Sequence, residues 1–482
     1  MTSDYQGGPR GLANGVAVDY QSPSETQLDN ILPAEDKIRR KLDLILLPIL
    51  GLAFFALQLD RGNIGAALTS TITQDLGITT NQLNVGTQLL SAGIVVTEIP
   101  SNILLQRFGP KKWLSFQVLA WGLVATFQAF VKSYPAYLAT RLLLGLLEGG
   151  YTPGALFYLT SWYKKDEITL RVSLFYFGAS FSSATSSLIS AGILRLSGKN
   201  GLSGWQWIFL VEGLITIFIG LVFLLALPPK VGDGRPLISG GRWSYFTDSE
   251  SRIILSRLKN DQQKTDSTKM KIIGRDVWNT VRRLNVLQHV FLSLVSATAV
   301  VGLHTYTPSI IESFGFDNIT ANALASVPIF ASMLLLLILS ILSDSTGCHG
   351  PFVLIAITWK VIGFAFLRVM PQTASKWHKY GTIAGASAMF ASMHILNVSW
   401  LAVNCTSPQE RSVAMALMCM ASNSAGITGS QIFRTSDKPL YHRALTATCA
   451  LAGASWVQTV LLIIYYFLTR PRLGTRLGYP LS

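Results

Sequence analysis

Apolar residues run through this chain in stretches of about twenty, separated by short polar segments. A helix rises about 1.5 Å per residue, so such a stretch spans a hydrocarbon layer of about 30 Å. Twelve can be marked. The first six are residues 43–62, 84–105, 113–131, 137–160, 170–194 and 205–227. The second six are 287–310, 321–343, 351–370, 381–402, 410–433 and 444–469. The pattern predicts an all-α integral membrane protein of twelve transmembrane helices in two six-helix bundles. The domains that follow are a tail over 1–42, a first bundle over 43–227, a central loop over 228–286, a second bundle over 287–469 and a tail over 470–482. Residues 1–35, with their Gly, Ser, Asp and Pro, read as a disordered tail.

Composition agrees with this pattern. Half of the 482 residues are hydrophobic and 13% are charged, against about a quarter charged in an average soluble domain. The formal net charge is +14, but many basic residues sit between the apolar runs. The central stretch alone holds Lys230, Arg235, Arg242, Arg252, Arg257 and Arg283 among others. Lys37, Arg39, Arg40 and Lys41 precede the first run, and Arg470, Arg472 and Arg476 follow the last. Such clustering marks the cytoplasmic side of a membrane, and an even number of spans puts both termini there. It excludes nucleic acid as a partner, since no single basic face is implied. The polar N-terminus reads as lacking a cleavable signal peptide. On this topology Asn318-Ile319-Thr320 lies outside, a candidate glycosylation acceptor. The four cysteines show no metal-ligand or redox spacing and read as packing residues.

The stretch Arg141-Leu-Leu-Leu-Gly145-Leu-Leu-Glu148-Gly149-Gly150 carries the most chemistry. It places an arginine and a glutamate about two helical turns apart, on one face, inside an apolar run. A charge at bilayer depth costs roughly 3 kcal/mol or more, so it faces a cavity or a partner. Asp60-Arg61 near the outer end of the first span, and Glu98 in the second, add further intramembrane charge. Phosphate-cradling, zinc-protease and nucleophile-elbow motifs are missing, so ATP-driven transport and hydrolysis find no support and no enzyme activity is expected.

Four groups of residues resemble the Major Facilitator Superfamily and, within it, the fungal anion:cation symporters. They are Leu59-Asp60-Arg61-Gly62-Asn63-Ile64-Gly65-Ala66; Glu98-Ile-Pro100-Ser101-Asn102 with Arg107-Phe-Gly-Pro; Arg141 through Gly154 with Trp162-Tyr163-Lys164-Lys165; and Gly204-Trp205-Gln-Trp207-Ile-Phe209 with Glu212-Gly213. The similarity covers about 43–470. It implies proton-coupled import of organic anions such as allantoate, nicotinate or pantothenate. Ala66 stands where the fungal signature usually has asparagine.

An anion needs a fixed cation in low dielectric, and arginine grips a carboxylate through two parallel hydrogen bonds. Proton coupling needs a carboxyl group whose affinity burial and a nearby arginine tune in opposite senses. Arg61 and Arg141 are therefore the expected substrate ligands, with the amides Asn63, Asn404 and Asn423 as further ligands or, equally, as helix–helix contacts. Asp60, Glu148 and Glu98 are the expected proton-coupling groups. The structural alternative pairs Asp60 with Arg141, Arg61 with a backbone carbonyl and Glu98 with Arg107 or a neighbouring helix. Arg107, Lys111 and Asp344 lie in matched loops after the second and eighth spans and are expected to gate the inner face, as is the 162–171 loop; the alternative role of these basic loops is to set topology. The expected function is proton-coupled symport of a small organic anion, a carboxylate or vitamin-like nutrient, by a plasma-membrane monomer. Its energy source is the proton gradient, with no bound cofactor and no metal. Efflux of a fungal metabolite, or nutrient sensing by a transporter-like protein, are the competing functions.

Overall fold

The computed structural model describes residues 25–265, 274–371, 373–389, 392–437 and 441–477. These form α-helices and short 3-10 turns, and the sole β contact among them is an isolated bridge between Lys230 and Asp233. The first half contains α1 (Glu25–Ala67), α2 (Ile72–Asp75), α3 (Thr80–Phe108), α4 (Pro110–Phe127), α5 (Tyr134–Glu148), α6 (Tyr151–Thr160), α7 (Lys165–Leu194) and α8 (Gly204–Ala226). Next come α9 (Asp248–Thr265) and α10 (Gly274–Val281). The second half contains α11 (Leu284–Ser313), α12 (Asn318–Thr346), α13 (His349–Val369), α14 (Lys376–Ser387), α15 (Ser392–Asn404), α16 (Pro408–Gly429) and α17 (His442–Leu477).

Among the described residues each of the twelve apolar runs is built mainly of helix. Backbone amides in hydrocarbon have no water to bond, so a crossing segment must satisfy them internally. Eight described helices are long and apolar enough to cross a membrane by themselves. Two runs are interrupted. The fourth breaks between α5 and α6, where Gly150 takes φ of 83°, a left-handed conformation that glycine adopts without a Cβ penalty. The tenth is divided into α14 and α15.

One expectation needs correction. The segment 25–35, read as part of a disordered tail, is helical, because α1 starts at Glu25; residues 1–24 lie outside the described residues. The central loop also contains helix, and the first turn of α9 within it is acidic. Asp248 and Glu250 there suit a helix N-terminus.

Lipid tails are as apolar as leucine, so helices associate in a membrane by close packing rather than by the hydrophobic effect. Small residues permit this. A Cβ added at Gly145 would lie 2.2 Å from the Leu90 carbonyl oxygen, and one at Gly93 would lie 2.9 Å from the Leu146 nitrogen. The α3–α5 crossing therefore depends on these two glycines. Within the first half α4 packs on α8, α1 on α7 and α3 on α5; within the second, α11 packs on α16 and α13 on α17. The halves meet through α7–α12, α3–α16 and α1–α11.

The side-chain bonds between the halves cluster at one face, opposite the central segment. There Asn84 donates to the Phe433 carbonyl (2.9 Å) and accepts from the Tyr306 hydroxyl (2.6 Å). Gln88 donates to the Ile427 carbonyl (2.9 Å), and Asn322 donates to Thr69 Oγ1 (2.8 Å). We call this the far face, and the one bearing the central segment the basic face. At the basic face, Lys164 pairs with Glu35 (2.7 Å), Arg171 with Asp43 (2.6 Å), Arg257 with Glu167 (2.9 Å) and Lys41 with Glu250 (2.8 Å). The 162–171 loop was expected to latch the bundles together there. Its partners lie instead on α1 and α9, so it ties the central segment to the first bundle. Among the described residues no ion pair joins the two bundles.

Candidate functional site

Helical periodicity splits the α1 signature between two environments. Gln58, Arg61, Gly62 and Gly65 line a cavity of about 290 Å³ between the bundles, toward the far face. Asp60 and Asn63 lie on the side of α1 that meets α8 and are fully buried. The cavity is closed by Ser183, Ser186, Ser187 and Ser190 of α7, by Val300, His304, Thr305 and Pro308 of α11, and by α12 and Ser387 of α14.

At its edge Arg61 Nε donates to Glu148 Oε2 at 2.8 Å, so α1 and α5 are joined by an ion pair whose acid has a fully buried side chain. Glu148 ends α5 just before the glycine break, which fixes it at mid-depth. Arg141, two turns earlier on α5, is only 2% exposed. Its guanidinium lies 5.5 Å from the Tyr137 ring and 5.3 Å from the Phe209 ring, a cation–π cage that holds it without a counter-ion contact. Arg141 is also within electrostatic reach of Asp60 and Glu148. Its Nε and one terminal nitrogen, buried, have no hydrogen-bond partner, and neither does Glu148 Oε1.

The structural alternative of an Asp60–Arg141 bridge is not what the chain forms. Asp60 Oδ2 accepts from the Thr216 hydroxyl at 3.1 Å, while Oδ1 is unpartnered and the Trp121 indole approaches without closing a bond. One turn before Thr216, Glu212 is fully buried and accepts from Ser190 Oγ at 2.9 Å. Asn63 faces Glu212 with both polar atoms unpaired, so it sits in the bundle core and not on the cavity wall as expected. In the sequence Glu212 stands out only as part of the Gly204–Gly213 motif. A lone glutamate within the apolar run 205–227 was the signal that it belongs to the buried charge cluster.

Glu98 meets Asn423 across the α3–α16 contact and lies within electrostatic reach of Arg61. Tyr176 and Cys419 adjoin Glu98 in the same region. Of the two structural alternatives for Glu98, the contact with a neighbouring helix is therefore present, whereas Arg107 ends α3 at the basic face and is exposed. Lys111 is buried there beside Asp233 of the central segment. Asn404 is not brought to the site at all. It ends α15, and its amide donates 2.8 Å to the Trp400 carbonyl of its own helix. Asp344 falls on α12, but its side chain lies outside the described residues. Asn318 opens α12 at the far face and is half-buried.

A two-bundle membrane protein with charged residues around an interior cavity at the bundle interface has the form of a secondary transporter. The chain belongs to the Major Facilitator Superfamily, whose profile matches residues 50–430. It is 30% identical over 441 residues to the MFS-type transporter cnsO of Penicillium expansum, covering 90% of this chain and 84% of that protein. It is 28% identical over 435 residues to the high-affinity nicotinic acid transporter of Saccharomyces cerevisiae, covering 90% and 78%. The crystal structure of a D-xylose-proton symporter superposes with a TM-score of 0.65 at 14% identity, over 87% of this chain and 97% of that one. The protein is therefore a multi-pass membrane transporter of a small molecule and not an enzyme.

Proposed function

We propose that this protein is a proton-coupled symporter of a small organic anion, working by alternating access. One observation carries the reading: Arg61 is engaged by Glu148 while Arg141, two turns away on α5 and more fully buried, keeps two nitrogens unpaired. A guanidinium held ready in low dielectric suits a carboxylate ligand. The set of Asp60, Glu148, Glu212 and Arg141, all buried, with Arg61 at the cavity wall holds three acids against two bases. Fully ionised it carries one net negative charge, and one proton cancels it. Since burying an unbalanced charge costs several kcal/mol, proton binding and anion binding are coupled through these groups.

The nicotinic acid transporter among the relatives acts on a carboxylic acid, which supports the reading. The basic face is assigned to the cytoplasm by its lysines and arginines, with both termini there and the plasma membrane as the site. On that orientation the far-face bonds of Asn84, Gln88 and Asn322 hold the outside shut, and Asn318 is a glycosylation acceptor. The working unit is a monomer, with no cofactor beyond the proton gradient.

The test is uptake of radiolabelled nicotinate, pantothenate and allantoate by a permease-deficient yeast expressing the chain, at external pH 5 and 7. Accumulation of one of them, stronger at the lower pH and abolished by a protonophore, is the expected result. Accumulation that ignores both pH and protonophore removes proton coupling.

A further inference from the structure

Lys360 lies in the middle of α13, 3% exposed, inside a membrane span. Its Nζ donates to Ser296 Oγ of α11 at 3.3 Å. Among the described residues it takes part in no ion pair. The titratable side chain that faces it is His394 of α15, itself a base, whose Nδ1 is buried without a partner. A lysine at this depth is expensive unless something negative meets it.

The surroundings show where that negative group would come from. Ser296 is one turn from Val300 and two from His304, on one face of α11, and both of those residues line the interior cavity. One turn along α13, Gly363 packs so closely that a Cβ there would lie 2.8 Å from Ala386. The next residue, Ser387, ends α14, lines the cavity and has a buried hydroxyl with no partner. Lys360 thus lies behind the cavity's second-bundle wall, one helical turn from residues that pack on or line it, near the C-terminal end of α14. The C-terminal end of α14 carries partial negative charge that helps hold an ammonium there, but a dipole end does not neutralise it.

We propose that Lys360, with Ser296, Ser387 and His394, forms a second anion subsite. It takes the distal acidic group of a substrate whose first carboxylate is held by the arginines of the first bundle. The preferred substrate class is therefore a dianion, such as a dicarboxylate, bridging the two bundles. This rests on the organic-anion reading above and adds the number of charges.

The experiment uses the purified full-length transporter and its melting temperature at constant ionic strength. The probes are two chain-matched pairs, butyrate with succinate and hexanoate with adipate. In the unmodified protein a dicarboxylate should raise the melting temperature more than its monocarboxylate partner. K360Q should erase that excess while keeping the monocarboxylate shift, and K360R should retain it. An undiminished excess in K360Q overturns the subsite and leaves organic-anion transport intact. An excess missing from the unmodified protein, with monocarboxylates still active, overturns the dianion preference. No shift with any of the four anions overturns both this proposal and the organic-anion reading.

Discussion

Arg61 of α1 and Glu148 of α5 are bonded at 2.8 Å, the acid wholly buried and the arginine on the cavity wall. One partner is locked in the bundle and the other is reached from the interface, so ligand entering the cavity competes for the arginine that Glu148 holds. Proton transfer to Glu148 would weaken its hold and free Arg61. Glu148→Gln imitates that neutral state permanently. It should abolish uphill, proton-driven accumulation while retaining substrate exchange between equal compartments. Counterflow and pH-jump uptake in proteoliposomes measure the two separately. Accumulation with unmodified pH dependence would remove Glu148 from coupling.

Arg141 differs from Arg61 in being caged by Tyr137 and Phe209 instead of paired. A lysine there keeps the charge but loses the planar fork and its stacking. One charge-assisted hydrogen bond is worth about 1.5 kcal/mol or more, so Arg141→Lys should raise KM about tenfold or more. Initial-rate transport across a substrate concentration series reads this directly. An unchanged KM would make Arg141 structural.

The architecture was legible in the sequence because lipid leaves a crossing segment only the helix, so counting apolar runs counts spans. The α5–α6 break is foreshadowed by Gly149-Gly150. The end of α14 is not, since the residues that follow it, Ala388 and Met389, are neither glycine nor proline. Which charges meet was less accessible. Spacing put Arg141 and Glu148 on one face, but pairing Glu148 with Arg61 depends on the rotation of α1 against α5, set by packing far along the chain. The same rotation turned Asn63 into the core. Lys360 was visible as a lysine inside the run 351–370; only the fold shows its serine and histidine neighbours.

The far-face closure yields another expectation. Tyr306 donates to Asn84 at 2.6 Å, and Asn84 in turn holds the Phe433 carbonyl, so one hydroxyl supports a bond across the bundles. A hydrogen bond contributes about 1 kcal/mol net, equivalent to a shift of about fivefold between states. Tyr306→Phe should therefore increase opening toward the far face. With the native cysteines replaced by serine and Ser187→Cys introduced in the cavity wall, a membrane-impermeant thiol reagent should label several-fold faster once Tyr306→Phe is added. Equal rates would show that Tyr306 does not restrain this face.

Asp75, at the end of α2, accepts from the Ser203 hydroxyl at 2.6 Å, the Trp205 indole at 2.7 Å and the Thr71 hydroxyl at 2.8 Å. It thereby ties the connection after the first span to the start of α8. Partial burial pushes its carboxyl pKa upward, but the bonds from Ser203, Trp205 and Thr71 outweigh that and hold it below the usual aspartate value. An unfolded chain then binds more protons than the folded one near pH 4, so stability falls as pH drops. The contribution is complete above the unfolded pKa of about 3.9 and disappears as pH falls through the lower folded value. Asp75→Asn should melt below the unmodified protein at pH 6, with the gap narrowing under pH 4. A gap that widens on acidification would mean that Asp75 is not held as the carboxylate in the folded protein.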